Sequence, residues 1–507
     1  MSPTIGPDLA PSSSIAQFRP QGTPLNRSST SSSRSRSLPD NASAGTSPAY
    51  STSSLSIPLE ESDVDVARVE GLRHANLRLE ARSARTPSGK LTTCGTGRSA
   101  LSWSGVRLLP PHAFVLTSPA DRRYNTVPFA EQLLRILHTI RAPSWSEPEI
   151  TPESISIQKV SGSLTNAVFF VSCPPVAKAR TVLLRVYGPS SGSLIFRPRE
   201  LHTLHVLSSR YHIGPRVYGT FENGRVEEYF DATALSAADL RDPAISSWIG
   251  ARMAELHGVD IDVVALDAHP QCPLQIGVKN NVTSWLAFAR DVLALPGAPL
   301  HVRHALDLDT FEHEWALFLR WMDQKEASDG SSPRVFSHND AQYGNLLRLR
   351  SLPEGQPAHR QIIVVDFEYA SPNPAAFDIA NHFHEWTADY HGSTPHLLDP
   401  TRYPTTEQRR NFYHAYLTHI QSSSGAPTTP ADSPPHVSEA ALRTLDEQVR
   451  AWSPASHAMW AVWGVVQARE FVEGKDGEPE FDYLGYAQCR MDGFRREIRE
   501  LGIAPVA

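Results

Sequence analysis

The chain has 507 residues, 40% of them hydrophobic and 20% charged, with ten tryptophans and a formal net charge of −7. That length supports a large core, in two or three domains or in one two-lobed enzyme with extensions. Residues 1–110 carry 12 Lys and Arg against 8 Asp and Glu and the remainder 35 against 46, so the acidic main body argues against nucleic acid as a partner and suits a small cationic substrate.

Residues 1–111 are rich in Ser, Thr, Pro, Gly and Arg and poor in aromatics. Such a segment buries too little surface to offset its ordering entropy and is expected to be a disordered extension. A short helix is allowed over Val64–Glu80. The Ser-rich tract Arg27–Ser37 reads either as a phosphorylation target or as a solvated tail. Residues 112–227 then read as a small lobe. Ile155–Lys159, Ala167–Ser172 and Thr181–Val186 are β-branched or aromatic runs of an antiparallel meander. Leu201, Leu204 and Leu207 have helical spacing. Arg216–Phe221 and Arg225–Phe230 are two further strands turning at Glu222-Asn-Gly224. From residue 228 to 507 the pattern is mainly helical. One hairpin pairs Asn345–Arg350 with Gln361–Phe367, and a polar stretch near 421–436 reads as a disordered insertion. The expected architecture is α+β: a small antiparallel-sheet lobe followed by a large helical lobe, the order of protein-kinase-like folds.

Four cysteines (Cys94, Cys173, Cys272, Cys489) lack CxxC spacing and read as reduced thiols. The N-terminus has no charged-then-apolar leader pattern, and no apolar run reaches the roughly 18 residues of a membrane span. A cytoplasmic protein without a membrane span is expected, which makes the sequons at Asn26, Asn41 and Asn281 chance matches.

The chemistry concentrates in His338-Asn-Asp-Ala-Gln-Tyr-Gly-Asn345 and in Asp366, which closes the apolar run Ile362–Val365. An Asp, an Asn five residues on and a second Asp ending a downstream strand are what phosphoryl transfer from Mg-ATP to an alcohol requires. Asp340 would accept or orient the hydroxyl proton, and Asn345 and Asp366 would hold magnesium. Asp and Asn also build turns, but three such groups at this spacing favour the kinase reading. Between two strands, Lys159–Asn166, with Gly162 and Asn166, could cover ATP phosphates, although one Gly in a polar turn is a weak signal. Arg185 interrupts the apolar strand Val182–Tyr187 and could bind ATP phosphates and pair with Glu200; strand alternation leaves an outward-facing Arg185 open. Glu228-Tyr-Phe230 falls where the lobes join, so its backbone could bond adenine. His382 and His384 have i, i+2 spacing with no third ligand nearby in sequence, and read as core or hydrogen-bonding histidines rather than a metal site.

Downstream, Glu385, Trp386 and Tyr390 are followed by Trp460, Trp463, Phe481, Tyr483 and Tyr486. Aromatic faces with a carboxylate suit a quaternary ammonium, which cannot donate hydrogen bonds. Trp460 and Trp463 share one helix face, however, and on spacing alone a core role is favoured.

The segments Phe336–Leu347, Val365–Trp386, Ser456–Ala468 and Asp482–Gln488, with Leu183–Gly188 and Gly214–Gly219, resemble the choline/ethanolamine kinase family over residues 112–505. The wording Ala341-Gln-Tyr-Gly-Asn345 is most similar to fungal members. The resemblance implies an ATP-dependent choline kinase with magnesium, making phosphocholine for phosphatidylcholine synthesis by the CDP-choline route. It implies Asp340 as base, Asn345 and Asp366 on magnesium, and Arg185 at the phosphates. It also implies Glu385, Tyr390, Trp460, Trp463, Phe481 and Tyr486 around the choline head group, reversing the core reading of the Trp pair. Gln342, two residues after Asp340, resembles choline members, whereas dedicated ethanolamine members tend to have Leu. Ser161-Gly162 departs from a frequent Gly-Gly. The rivals are an ethanolamine or dual-specificity kinase and a catalytically silent scaffold. The oligomeric state stays open, a homodimer included.

Overall fold

The computed structural model describes residues 72–79, 124, 126–160, 166–187, 197–264, 276–423, 437–474 and 481–503. The Arg27–Ser37 tract, Gly162, the Asn166 side chain and most of the 421–436 stretch lie outside them.

The elements in chain order begin with β1 (His74–Ala75) and α1 (Val127–Thr139). The meander β2 (Ser156–Lys159), β3 (Asn166–Ser172) and β4 (Val182–Tyr187) follows. After α2 (Arg197–Arg210) comes the hairpin of β5 (Val217–Phe221) and β6 (Gly224–Glu228). These strands form one six-stranded sheet in the order β1-β5-β6-β4-β3-β2. All neighbours are antiparallel except β1 and β5.

Strand alternation decides what each face of this sheet does. Val182, Leu184 and Val186 of β4 point into one apolar cluster with Phe169, Val171 and the buried face of α1. Arg185 takes the opposite face, yet it is buried, because that face looks into the protein rather than into solvent. The outward-facing alternative for Arg185 is therefore excluded.

Gly224 opens β6 where a Cβ would overlap the Arg185 carbonyl and the Phe221 ring. Gly224→Ala is expected to destabilise the protein by about 1–3 kcal/mol, the usual cost of overpacking. Urea denaturation checks this; an unchanged midpoint would show that the hairpin can shift.

Residues 72–79 fall inside the stretch expected to be disordered and inside the helix allowed over Val64–Glu80. They are extended instead. β1 pairs with β5, Ala75 and Leu79 are fully buried, and the Asn223 side chain bonds both the N–H and the carbonyl of Leu79. Ala75, Leu77 and Leu79 alternate with period two, which suits an edge strand, and β5 offers the backbone groups to pair with.

The chain crosses to the second lobe through β7 (Ala232–Ala234). The helices α3 (Pro243–His257), α4 (Ile261–Val264), α5 (Gly277–Ala294), α6 (Leu300–Leu306) and α7 (Leu308–Asp329) come next. Strands β8 (Arg334–Ser337), β9 (Leu346–Leu349), β10 (Ile362–Val364) and β11 (Ser371–Pro374) follow. The chain ends with α8 (Ala375–Glu385), α9 (Thr406–Ser423), α10 (Glu439–Gln467), α11 (Arg469–Val472) and α12 (Tyr483–Glu500). The expected hairpin is present as β9 and β10, extended by β7 into a three-stranded sheet. The pairing of β8 with β11 was not expected, since β11 contains Pro372 and Pro374, which disfavour a strand reading. In a two-stranded ribbon a proline can sit on the unpaired side, so the penalty is small. Helices α5, α8 and α12 surround the long α10. Among the described residues, no helix is long and apolar enough to cross a membrane.

Candidate active site

The loop after β8 is held by one carboxylate. Asp378, on α8 and fully buried, accepts the backbone N–H groups of His338 (2.9 Å) and Asn339 (2.8 Å) and hydrogen-bonds His257 Nε2 (3.0 Å). These donors hold its carboxyl below the ordinary range despite burial. Asn339 has a left-handed backbone (φ 65°), which Asn tolerates better than most residues. Its side chain bonds the Tyr369 carbonyl (2.8 Å) and Asn373 (2.8 Å), and its carbonyl accepts from Asn381 (2.9 Å). The loop is thus tied both to β11 and to α8.

This framework presents Asp340. Asn345 Nδ2 donates to both the carbonyl and Oδ2 of Asp340, each at 2.9 Å, so Oδ1 is the Asn345 atom that could hold a cation. The N–H of Val365 bonds the Asn345 carbonyl (3.0 Å), so β10 delivers Asp366 beside the loop, with φ at 66°. The predicted trio Asp340, Asn345 and Asp366 is therefore brought together. Arg185 reaches it from the sheet, with Nη1 3.5 Å from Asp366 Oδ2.

Burial and the like charges of Glu385, Asp366 and Glu368 push the Asp340 carboxyl well above its ordinary range. Asp366 Oδ1 is buried and has no hydrogen-bond partner among the described residues. Crowded hard oxygen donors with an unpaired carboxylate atom fit a divalent cation such as magnesium.

Other assignments shift. The expected Arg185–Glu200 pair is rearranged: Arg185 sits beside Asp366 and Glu227, while Glu200 pairs with Arg225 at 2.8 Å. Arg225 and Glu227, adjacent to the cleft and almost fully buried, were missed, because alternating charges on a strand read as a solvated face. The Glu228 N–H is already bonded to the Arg216 carbonyl (2.8 Å) and its carboxylate accepts the Arg216 N–H (3.3 Å). The Glu228 N–H is therefore engaged, and the hinge continues through half-buried Tyr229 and Phe230. Gln342 Oε1 accepts the Gly344 N–H (3.1 Å), which builds the turn between Asp340 and Asn345.

The second predicted group gathers at the far end of α8. Glu385 is buried, with Oε2 accepting from Tyr390 Oη (2.6 Å) and Oε1 from Arg490 Nη2 (3.0 Å). Arg490 Nε also donates to Tyr486 Oη (3.0 Å). The rings of Trp460 and Trp463 lie 5.2 Å apart edge to face, Tyr486 is 6.0 Å from Trp463, and Phe481 is 5.6 Å from Tyr486. The sequence reading missed Tyr369 and Arg490. Tyr369 packs 5.4 Å from Trp460 and accepts from Trp463 Nε1 (2.9 Å). Arg490 lies four residues after Tyr486, a helical spacing that could have signalled it.

Comparison with known proteins agrees with this architecture. The family model described as choline/ethanolamine kinase matches residues 157–495. A choline kinase of Schizosaccharomyces pombe is 35% identical over 424 residues, covering 74% of this chain and 90% of that protein. The solved choline kinase of Cryptosporidium parvum has a TM-score of 0.57 at 23% identity, covering 74% of this chain and 98% of that one. The Plasmodium vivax ethanolamine kinase has a TM-score of 0.52 at 21% identity, covering 68% and 85%. These two structures share the two-lobed α+β fold, with its antiparallel sheet and larger helical region. The match over most of the chain, with Asp340, Asn345 and Asp366 gathered below the sheet, makes this protein a member of the choline/ethanolamine kinase family.

Proposed function

We propose that this protein transfers the γ-phosphoryl group of ATP to the hydroxyl of choline, as a cytoplasmic enzyme. The observation that carries the reading is the cluster of Trp460, Trp463, Phe481 and Tyr486 rings beside Glu385, whose carboxylate lies close enough to help raise the Asp340 carboxyl. Asp340 orients the hydroxyl and takes its proton as the oxygen attacks phosphorus. Asn345 keeps the Asp340 carboxylate in place through Nδ2, and Arg185 meets the phosphate charge opposite Asp366. Magnesium, held by Asp366 and Asn345, would neutralise charge on the phosphate oxygens.

The pocket chemistry favours choline over ethanolamine. Tyr390 and Arg490 already occupy the two Glu385 oxygens, so acceptors for the three N–H groups of a primary ammonium are scarce. A trimethylammonium group asks only for negative potential and ring faces. Arg490 offsets the Glu385 charge locally, which leaves the ring faces of Trp460, Trp463 and Tyr486 to attract the head group.

Turnover of a panel of small amino alcohols with Mg-ATP tests this reading. The expected kcat/KM for choline exceeds that for ethanolamine by roughly tenfold or more, equivalent to about 1.4 kcal/mol of cation–π preference. Comparable values would replace it with a dual-specificity kinase, and turnover of neither alcohol would favour a silent scaffold.

A further inference from the structure

Directly behind the head-group pocket, α8, α10 and α12 bring together two histidines and a glutamate. His384 Nε2 lies 3.8 Å and His457 Nε2 3.5 Å from the same Glu497 oxygen, and the two imidazole rings are 4.0 Å apart. One ligand-type atom from each of the three residues falls within 4.8 Å of the others. Both histidines are buried, 2% and 3% exposed. Both His457 nitrogens and Glu497 Oε2 are buried without a hydrogen-bond partner among the described residues. Such orphaned polar atoms are costly in a native core.

The fold makes room for this arrangement. Gly493 of α12 faces the His457 ring, and a Cβ there would stand 2.6 Å from Cε1. Glycine inside a helix costs about 1 kcal/mol relative to alanine, so the helix gives up stability to admit the imidazole. Ser453 Oγ, one turn before His457 on α10, hydrogen-bonds His384 Nε2 at 2.8 Å and places a fourth polar atom, an oxygen, beside the two nitrogens and the carboxylate.

We propose that His384, His457 and Glu497 form a binding site for a zinc-type divalent cation, separate from the magnesium position at Asp366. Bonds of about 2.0–2.2 Å to a tetrahedral centre place neighbouring ligand atoms roughly 3.4 Å apart, close to the spacings seen here. Two imidazoles and one carboxylate are a donor set typical of zinc. Burial keeps both histidines neutral, the form that ligates. Arg490 is paired with Glu385 and Arg496 lies beside Glu500, which limits their repulsion of a cation. A bound ion would cross-link three helices next to Glu385.

A second cluster, Glu255, His359 and His419, has similar spacing, but Arg252 and Arg360 already pair with its glutamate. It serves as the internal control.

The test is a titration of chelator-treated full-length protein with Co²⁺ in excess Mg²⁺, followed by visible absorption. The expected result is one equivalent of Co²⁺ with the intense bands of four-coordinate geometry, displaced by one equivalent of Zn²⁺, and a higher melting temperature. Glu497→Gln and His384→Asn should each weaken Co²⁺ binding by at least about 100-fold, whereas His419→Gln should leave the bands unchanged. Absence of four-coordinate bands in the unmodified protein would overturn the proposal. So would bands that survive Glu497→Gln or His384→Asn, or that vanish in His419→Gln. If one variant does not fold, the other decides.

Discussion

Asp340→Asn is expected to lower kcat by roughly 10²–10⁴-fold, the range associated with loss of a positioned general base. Choline affinity should change little. The amide is nearly isosteric and its oxygen can still accept from Asn345 Nδ2, as Oδ2 does at 2.9 Å, but it cannot take the hydroxyl proton. Stability supplies a second readout. Burial and the charges of Glu385, Asp366 and Glu368 raise this carboxyl in the folded protein, so its ionised form opposes folding at neutral pH. The Asn variant should therefore be at least as stable as the parent in urea denaturation. Steady-state kinetics, calorimetric choline binding and denaturation together separate the outcomes. A variant that keeps most of the parent rate refutes Asp340 as the base, and one that loses both binding and stability points to a structural residue.

Asp378→Asn is expected to cost about 3–5 kcal/mol of stability, because it leaves buried donors without their charge partner. Three donors converge on this fully buried carboxylate: the N–H groups of His338 and Asn339 and the His257 ring. An amide offers one oxygen and turns an NH₂ group toward the other donors. The pH dependence follows from the lowered folded-state pKa. The contribution of Asp378 is fully present above its unfolded pKa, near the ordinary aspartate value of 3.8, and is lost as pH falls through the lower folded value. The variant should accordingly show both a lower denaturation midpoint at neutral pH and a shallower loss of stability on acidification. Kinetics should deteriorate as well, since the His338–Asp340 backbone loses its anchor. A midpoint within about 0.5 kcal/mol of the parent, the range of an uneventful surface substitution, would refute the anchoring role.

Much of the molecule was legible because local physics agreed with the fold. The meander β2–β4, the β5–β6 hairpin and the β9–β10 hairpin announce themselves through short β-branched runs bounded by turn residues. The trio Asp340, Asn345 and Asp366 was legible too, because two members share one short loop and the third closes the strand that pairs with it. Residues 72–79 misled the sequence reading, since their period-two pattern is short and lies beside a polar tract that outweighed it. The β8–β11 pair was hidden by prolines that an isolated ribbon tolerates.

What sequence order could not reveal is which charges meet. Arg185 was expected to pair with Glu200, but strand register places Asp366 and Glu227 beside it and gives Glu200 to Arg225. His384 had no third ligand within its own segment; His457 and Glu497 arrive from helices 73 and 113 residues further along the chain. Arg490, which neutralises Glu385, is likewise invisible from the neighbourhood of Glu385. By itself, then, the sequence determined the kinase-like trio, the family resemblance and the residue types available for a cationic head group. Only the tertiary structure decided how those charges are partnered, because ion pairing depends on distance through space, which chain separation does not constrain.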